Sequence, residues 1–107
     1  MPITEEQFKS VELANPTAEI EILQHDKLPD EVIARVPTPA LWNIYRNLQA
    51  EQKMQEARAA LVYGCVVFPE RAELQKQLDA HPALVEVWAG EIAEMAGYSA
   101  GARRKKF

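Results

Sequence analysis

The residue types that most often carry out chemistry are sparse in this chain of 107 residues. The two histidines, His25 and His81, are 56 positions apart, and neither has a histidine or cysteine partner at a metal-ligand spacing. The single cysteine, Cys65, lies among valines, and apolar surroundings raise a thiol pKa instead of activating the thiol. We therefore expect two solvated loop histidines and a cysteine that packs as a small core residue, which disfavours a hydrolase built on Cys65.

The acidic residues and the glycines also lack a catalytic arrangement. Thirteen glutamates and three aspartates are spaced as on solvated helix faces, as Glu70 with Glu73 and Glu91 with Glu94 illustrate. The four glycines follow no phosphate-binding pattern, and neither a nucleophile elbow nor a two-histidine zinc motif occurs. The sequence therefore predicts no catalytic residue, no metal site and no cofactor, and an enzyme is disfavoured.

Charge is distributed unevenly along the chain. Residues 1–102 carry eight basic and sixteen acidic side chains, whereas Arg103, Arg104, Lys105 and Lys106 are all basic. Because phosphate binding needs a basic surface, nucleic acid is not expected to be the main partner. Small and charged residues predict a flexible basic tail over 99–107.

The length of the chain corresponds to one domain, at about 100–200 residues per domain, and we assign it to residues 1–98. The first ten residues are acidic and polar, so that no signal peptide is expected. The longest apolar run, 59–68, is shorter than the ~20 residues that cross a bilayer. We expect an intracellular protein without a membrane partner.

Alternating hydrophobicity predicts a β-hairpin over residues 18–36. Ile20 and Ile22 lie on one face of a first strand, and a second alternating stretch covers 31–36. The polar connector, 25–30, contains the turn formers aspartate and proline. Since a lone hairpin is marginal in water, it must pack on helices or pair with the sheet of another copy.

The rest of the chain predicts a mostly α fold with three main helices, over 39–67, 70–80 and 82–96. Thr38 is the expected N-cap of the first helix and is followed by proline at the first helical position. At 1.5 Å per residue this helix would be about 43 Å long, so that a kink near Lys53 or Gly64 is an alternative.

Two smaller elements complete this interpretation. Residues 4–13 open with a capping-box pattern but have few apolar residues, which predicts a short helical turn or a frayed arm. In the last helix, Trp88 is surrounded by apolar residues at helical spacing and is expected in the core.

The first long helix carries the candidate partner-binding residues. Residues 49–58 are strong helix formers with one large apolar side chain, which indicates a helix exposed to solvent or to a partner. The aromatic residues upstream fit either a core position or an interface, and an arginine stands beside them. The predicted partner-binding residues are Trp42, Tyr45, Arg46, Met54 and Arg58. A solvated connector between two packed stripes is the competing interpretation.

The order of these elements resembles the small tail assembly chaperones of tailed bacteriophages, which are encoded just before the tape measure protein. The segments that carry the resemblance are RVPTPALW at 35–42, LVYGCVVFP at 61–69, MAGY at 95–98 and the basic end. The likeness extends over residues 31–106 and rests on pattern and order.

The resemblance implies an assembly factor that binds the helical tape measure protein, keeps it soluble and helps to recruit tail tube protein. It implies a location in the host bacterial cytoplasm and absence from the mature virion. Helix-on-helix recognition agrees with a helical protein that offers a polar, accessible helix. The alternative is a small regulatory or nucleic-acid-linked adaptor that acts through residues 103–106.

Overall fold

The computed structural model describes residues 2–97, which form five helices and three strands. In chain order these are α1 (Glu5–Ala14), β1 (Ile20–His25), β2 (Leu28–Arg35), α2 (Pro39–Ala50), α3 (Met54–Cys65), β3 (Val66–Phe68), α4 (Arg71–Ala80) and α5 (Leu84–Met95). The mostly helical class and the N-terminal hairpin are confirmed. The expected set of three main helices is not, and the predicted tail over 99–107 lies outside the described residues.

The strands form one antiparallel sheet in the order β1-β2-β3. In the hairpin, Ile22 is opposite Ile33 and His25 is opposite Leu28, so that only two residues form the turn. The second strand therefore begins earlier than the predicted residue 31 and includes Pro29. Proline fits there because β3 pairs with β2 only at Ile33 and Ala34, and the missing N–H breaks no bond to β3.

The third strand replaces the predicted end of the first long helix. Helix α3 ends at Cys65, and the following residues pair with β2, with Val66 opposite Ala34 and Phe68 opposite Ile33. Valine and phenylalanine favour strands, but three residues give no periodicity from which to predict one. The pairing partners are more than thirty positions away, so that only the tertiary structure defines this strand.

The predicted helix over 39–67 is also interrupted at residues 51–53. Gln52 has φ 63°, in the left-handed region, and its N–H donates to the Gln49 carbonyl at 2.9 Å. The N–H of Lys53 donates to the Leu48 carbonyl, also at 2.9 Å. These two bonds form a Schellman motif that ends α2. The chain then turns back, and the start of α2 meets the end of α3, where Leu41 lies against Gly64.

The hydrophobic core lies between one face of the sheet and three helices. Val32 and Ala34 of the central strand are fully buried, and Trp88 is 1% exposed, which confirms its predicted core position. The other members are Leu23, Leu61, Val62, Cys65, Leu74, Leu78, Leu84, Ala89 and Ile92. Helix α2 contributes no fully buried residue, and its apolar side chains lie at the margin of this core.

Helix α1 is complete where a short turn or frayed arm was expected. The Thr4 hydroxyl accepts from the Gln7 N–H at 3.1 Å, and the Gln7 side chain accepts from the Thr4 N–H at 2.9 Å. The helix buries no residue, and Leu13 is 81% exposed. The N–H of Ile3 donates to Glu31 Oε1 at 2.7 Å and ties this segment to β2. Local capping therefore favours α1 more than burial does.

Candidate functional site

A groove of about 430 Å³ lies where the α2–α3 pair meets α5. Three of the five predicted partner-binding residues line it: Tyr45 from α2, and Met54 and Arg58 from α3. They come together because the turn at 51–53 folds α3 back along α2. In an uninterrupted helix, Tyr45 and Arg58 would be about 20 Å apart along the axis. The structural basis of this grouping thus differs from the single long helix that was predicted.

The other two predicted residues support the groove without lining it. The ring centroids of Trp42 and Tyr45 are 5.0 Å apart and the rings are tilted by 42°, an arrangement favourable for aromatic pairs. Arg46 Nη1 donates to Gln49 Oε1 at 3.2 Å, and Gln49 Nε2 donates to the Tyr45 hydroxyl at 3.0 Å. Trp42 and Gln49 therefore hold the Tyr45 ring at the edge of the groove.

Residues of α5 form the opposite side, and no functional role was predicted for them from the sequence. They are Glu86, Ala89, Gly90, Ala93 and Glu94. Ala89 and Ala93 are buried, whereas both glutamates and Gly90 are exposed. The small residues Ala89, Gly90 and Ala93 form a shallow depression in the middle of this surface, and the carboxylates of Glu86 and Glu94 lie toward its two ends. A glycine inside an otherwise well-formed helix was the signal that could have marked this surface.

One ion pair joins the two sides. Arg58 Nη1 lies 3.4 Å from Glu86 Oε1, with the two side chains 33% and 66% exposed. At this exposure the pair contributes about 0–1 kcal/mol to folding. A second depression, of about 280 Å³, lies on the other side of the pair and is lined by Gln55, Pro82 and Val85 among others. Arg58 belongs to the segment that was predicted to be exposed to solvent or to a partner, but the structure makes it half-buried and pairs it with Glu86.

The groups with catalytic potential lie elsewhere. Cys65 is fully buried, and this burial raises the pKa of its thiol to about 11, although the Arg35 charge acts in the opposite direction. Such a thiol stays protonated at neutral pH, as expected for a core residue and unlike an activated nucleophile.

Both histidines line a single depression of about 410 Å³ between the hairpin turn and the start of α5. Their separation in sequence gave no sign of this. His25 Nδ1 accepts from the Lys27 N–H at 3.1 Å, and His81 is exposed. Within residues 2–97, no group of three or more histidine, cysteine or carboxylate side chains is arranged to hold a metal ion.

The helices described for residues 2–97 include none with both the length and the apolar character needed to cross a membrane.

Comparison with known proteins relates the fold to one solved structure. An uncharacterised protein of Bacillus stearothermophilus, RBSTP2171, is similar with a TM-score of 0.74 at 19% identity, over 90% of this chain and 99% of that one. At this identity the likeness shows the shared fold alone. No protein-family model and no curated protein matches the sequence.

Proposed function

We propose that this protein is a phage tail assembly chaperone that binds a helical segment of the tape measure protein and keeps that protein soluble. The groove between the α2–α3 pair and α5 is the observation that supports this proposal, because Tyr45, Met54 and Arg58 meet in it. The resemblance supplies the identity of the partner, and the groove supplies a surface of suitable shape.

The composition of the groove suits an amphipathic helix. Recognition of this kind places the apolar face of a helix into an open groove, with aromatic and aliphatic side chains as anchors. Tyr45 offers a half-buried ring, and Met54 is 37% exposed with a flexible thioether that adapts to irregular surfaces. A chaperone needs such adaptability, because it must engage a segment before that segment has its final partners.

Coverage of an apolar face explains how such binding would maintain solubility. A long helix with an exposed apolar face associates with other copies unless that face is covered. Helix α2 is itself incompletely covered, since Ile44 is 51% exposed, and it therefore carries apolar surface in addition to Tyr45. In this proposal the protein acts in the host cytoplasm, helps to bring tail tube protein to the complex and is absent from the mature virion.

The test is co-expression with the tape measure protein of the same phage, followed by measurement of the soluble fraction. In the first variant Arg46→Glu, Met54→Asp and Arg58→Glu are combined, and we expect the tape measure protein to be lost from that fraction. A control with the same change in charge combines Lys27→Glu, Lys76→Glu and Leu13→Asp, at exposed positions outside the groove. We expect the control to behave as the parent does.

A second variant distinguishes loss of binding from loss of folding. Arg58→Glu places two carboxylates together in place of the ion pair with Glu86. The double variant Arg46→Glu with Met54→Asp leaves that pair intact and should still lower the soluble fraction. A tape measure protein that is equally soluble without this chain would refute the proposal. Salt-dependent DNA binding that disappears on deletion of residues 103–107 would favour the adaptor instead.

A further inference from the structure

Helix α5 carries a glycine near its middle that the described chain does not require. Gly90 lies within Leu84–Met95, is exposed, and does not have a positive φ. A Cβ atom placed on Gly90 would meet nothing within 4 Å. Alanine would thus fit without a clash, and it is a far better helix former than glycine. Neither packing nor backbone geometry within residues 2–97 explains the glycine.

The other glycine within a described helix provides a contrast. A Cβ atom at Gly64 would lie 2.7 Å from Leu41 Cδ2 and 3.0 Å from Leu41 Cδ1. At Gly64, therefore, the close approach of α2 to α3 accounts for the missing side chain. Gly90 has the same kind of position within a helix but no neighbour to account for it. Gly90 lines the groove, where the missing side chain leaves room for the backbone of a bound molecule.

The surroundings of Gly90 indicate the chemistry of that molecule. Glu86, Gly90 and Glu94 are four residues apart, so that they form a row along α5 with about 6 Å between successive members. Glu86 is paired with Arg58, whereas Glu94 forms no ion pair with the residues that the structure describes. Residues 2–97 contain eight basic and sixteen acidic side chains, which adds to the attraction for a cationic partner.

We infer that the helix held in the groove crosses α5 at Gly90 in close backbone contact, with a small residue at the crossing and a lysine or arginine directed toward Glu94. This inference rests on the proposed function and identifies the segment of the tape measure protein that would bind. The segment would carry glycine, alanine or serine, with a basic residue three or four positions away. Small residues permit such close approach of helix backbones.

The test compares Gly90→Ala with Gly64→Ala in the full chain. Gly90→Ala should raise the melting temperature of the protein because it favours the helix, yet weaken binding of the purified tape measure protein about tenfold. Gly90→Leu should abolish binding. Gly64→Ala should instead lower the melting temperature, because its Cβ atom would meet Leu41 at 2.7 Å. Glu94→Lys should weaken binding at low salt more than Glu94→Gln does.

The results distinguish failure of this inference from failure of the proposed function. Tight binding by Gly90→Ala overturns the inference, and the proposed function survives if the Arg46, Met54 and Arg58 variants still lose binding. A lower melting temperature for Gly90→Ala also overturns it, because the fold would then require the glycine. If the unmodified protein does not bind the tape measure protein, the proposed function fails and the inference fails with it.

Discussion

Helices α2 and α5 have the same length, twelve residues, but very different surroundings. Helix α5 buries Leu84, Trp88, Ala89, Ile92 and Ala93, whereas α2 buries no residue completely. Both have an apolar stripe in the sequence, and both were predicted as helix for that reason. Helix α3 is the main neighbour of both helices. The stripe of α5 belongs to the core cluster, which also contains residues of the sheet and of α4, whereas apolar residues of α2 only pack against that cluster.

This difference determines how much each helix stabilises the fold and how much apolar surface it leaves exposed. A covered stripe stabilises the fold in proportion to the apolar area removed from water. The exposed residues with which α5 lines the groove are Glu86, Gly90 and Glu94. A half-covered stripe stabilises the fold less and keeps apolar surface for a second molecule. The groove lies between α5, which buries five residues, and the α2–α3 pair, in which α2 buries none completely.

The largest effect that would test this comparison is the loss of Trp88. Trp88→Ala should lower the free energy of unfolding by about 3–5 kcal/mol, because a 1% exposed aromatic side chain leaves a cavity when truncated. Denaturant titration followed by circular dichroism measures this change. Trp88→Phe serves as the milder control, since the indole N–H has no hydrogen-bond partner within residues 2–97. A loss below about 1 kcal/mol would contradict the core assignment of α5.

Alkaline pH should cause the next largest loss of stability, through Cys65 in the hydrophobic core. Burial raises the pKa of Cys65 to about 11 from 9.0, so that above pH 9 the unfolded chain loses its thiol proton before the folded protein does. Stability from this group is therefore complete below pH 9 and lost as the pH rises to 11, by about 2–3 kcal/mol.

Melting temperatures of the parent protein and of Cys65→Ala, measured between pH 8 and pH 11, isolate this contribution. The cavity left by the substitution costs the same at each pH, so that only the difference between the two curves depends on the thiol. We expect the difference in melting temperature between the parent protein and Cys65→Ala to become smaller as the pH rises. Two parallel curves would show that the thiol is not desolvated in the folded protein.

On the groove side, Trp42→Ala should cost less than Trp88→Ala. Because the Trp42 side chain is half-buried and packs on Tyr45, we expect a loss of about 1–2 kcal/mol in the same denaturant titration. Binding of the tape measure protein should fall as well, since Tyr45 would lose its support. Equal losses of unfolding free energy for Trp42→Ala and Trp88→Ala would contradict the difference in burial between α2 and α5.

The smallest expected change in stability is at the turn over residues 51–53, which folds α3 back along α2. Gln52→Gly should raise the free energy of unfolding by about 0.5–1 kcal/mol, because glycine adopts the left-handed conformation at φ 63° without steric cost. If residues 39–67 instead formed one continuous helix, the same substitution would lower stability by about 1 kcal/mol. The sign of the change, measured by denaturant titration, therefore decides between the turn and the long helix.

Local patterns in the sequence were enough to predict several parts of the structure. The alternation of Ile20 and Ile22 marked the first strand, and Thr38 was found at the predicted N-cap, where it accepts from the Leu41 N–H at 3.2 Å. The bounds of α4 and α5, and the burial of Cys65 and Trp88, also followed from periodicity and neighbours. These features depend on residues within about one or two turns of each other, which is the distance over which sequence patterns carry information.

The remaining features depend on contacts between distant residues. Strand β3 exists because Phe68 pairs with Ile33, and α2 ends because Gln52 adopts a conformation that its residue type disfavours. Residues 49–58 favour a continuous helix by propensity, so that only packing of α3 back onto α2 can outweigh that preference. The same packing brings Tyr45 and Arg58 to Gly90, which makes the groove a product of tertiary structure.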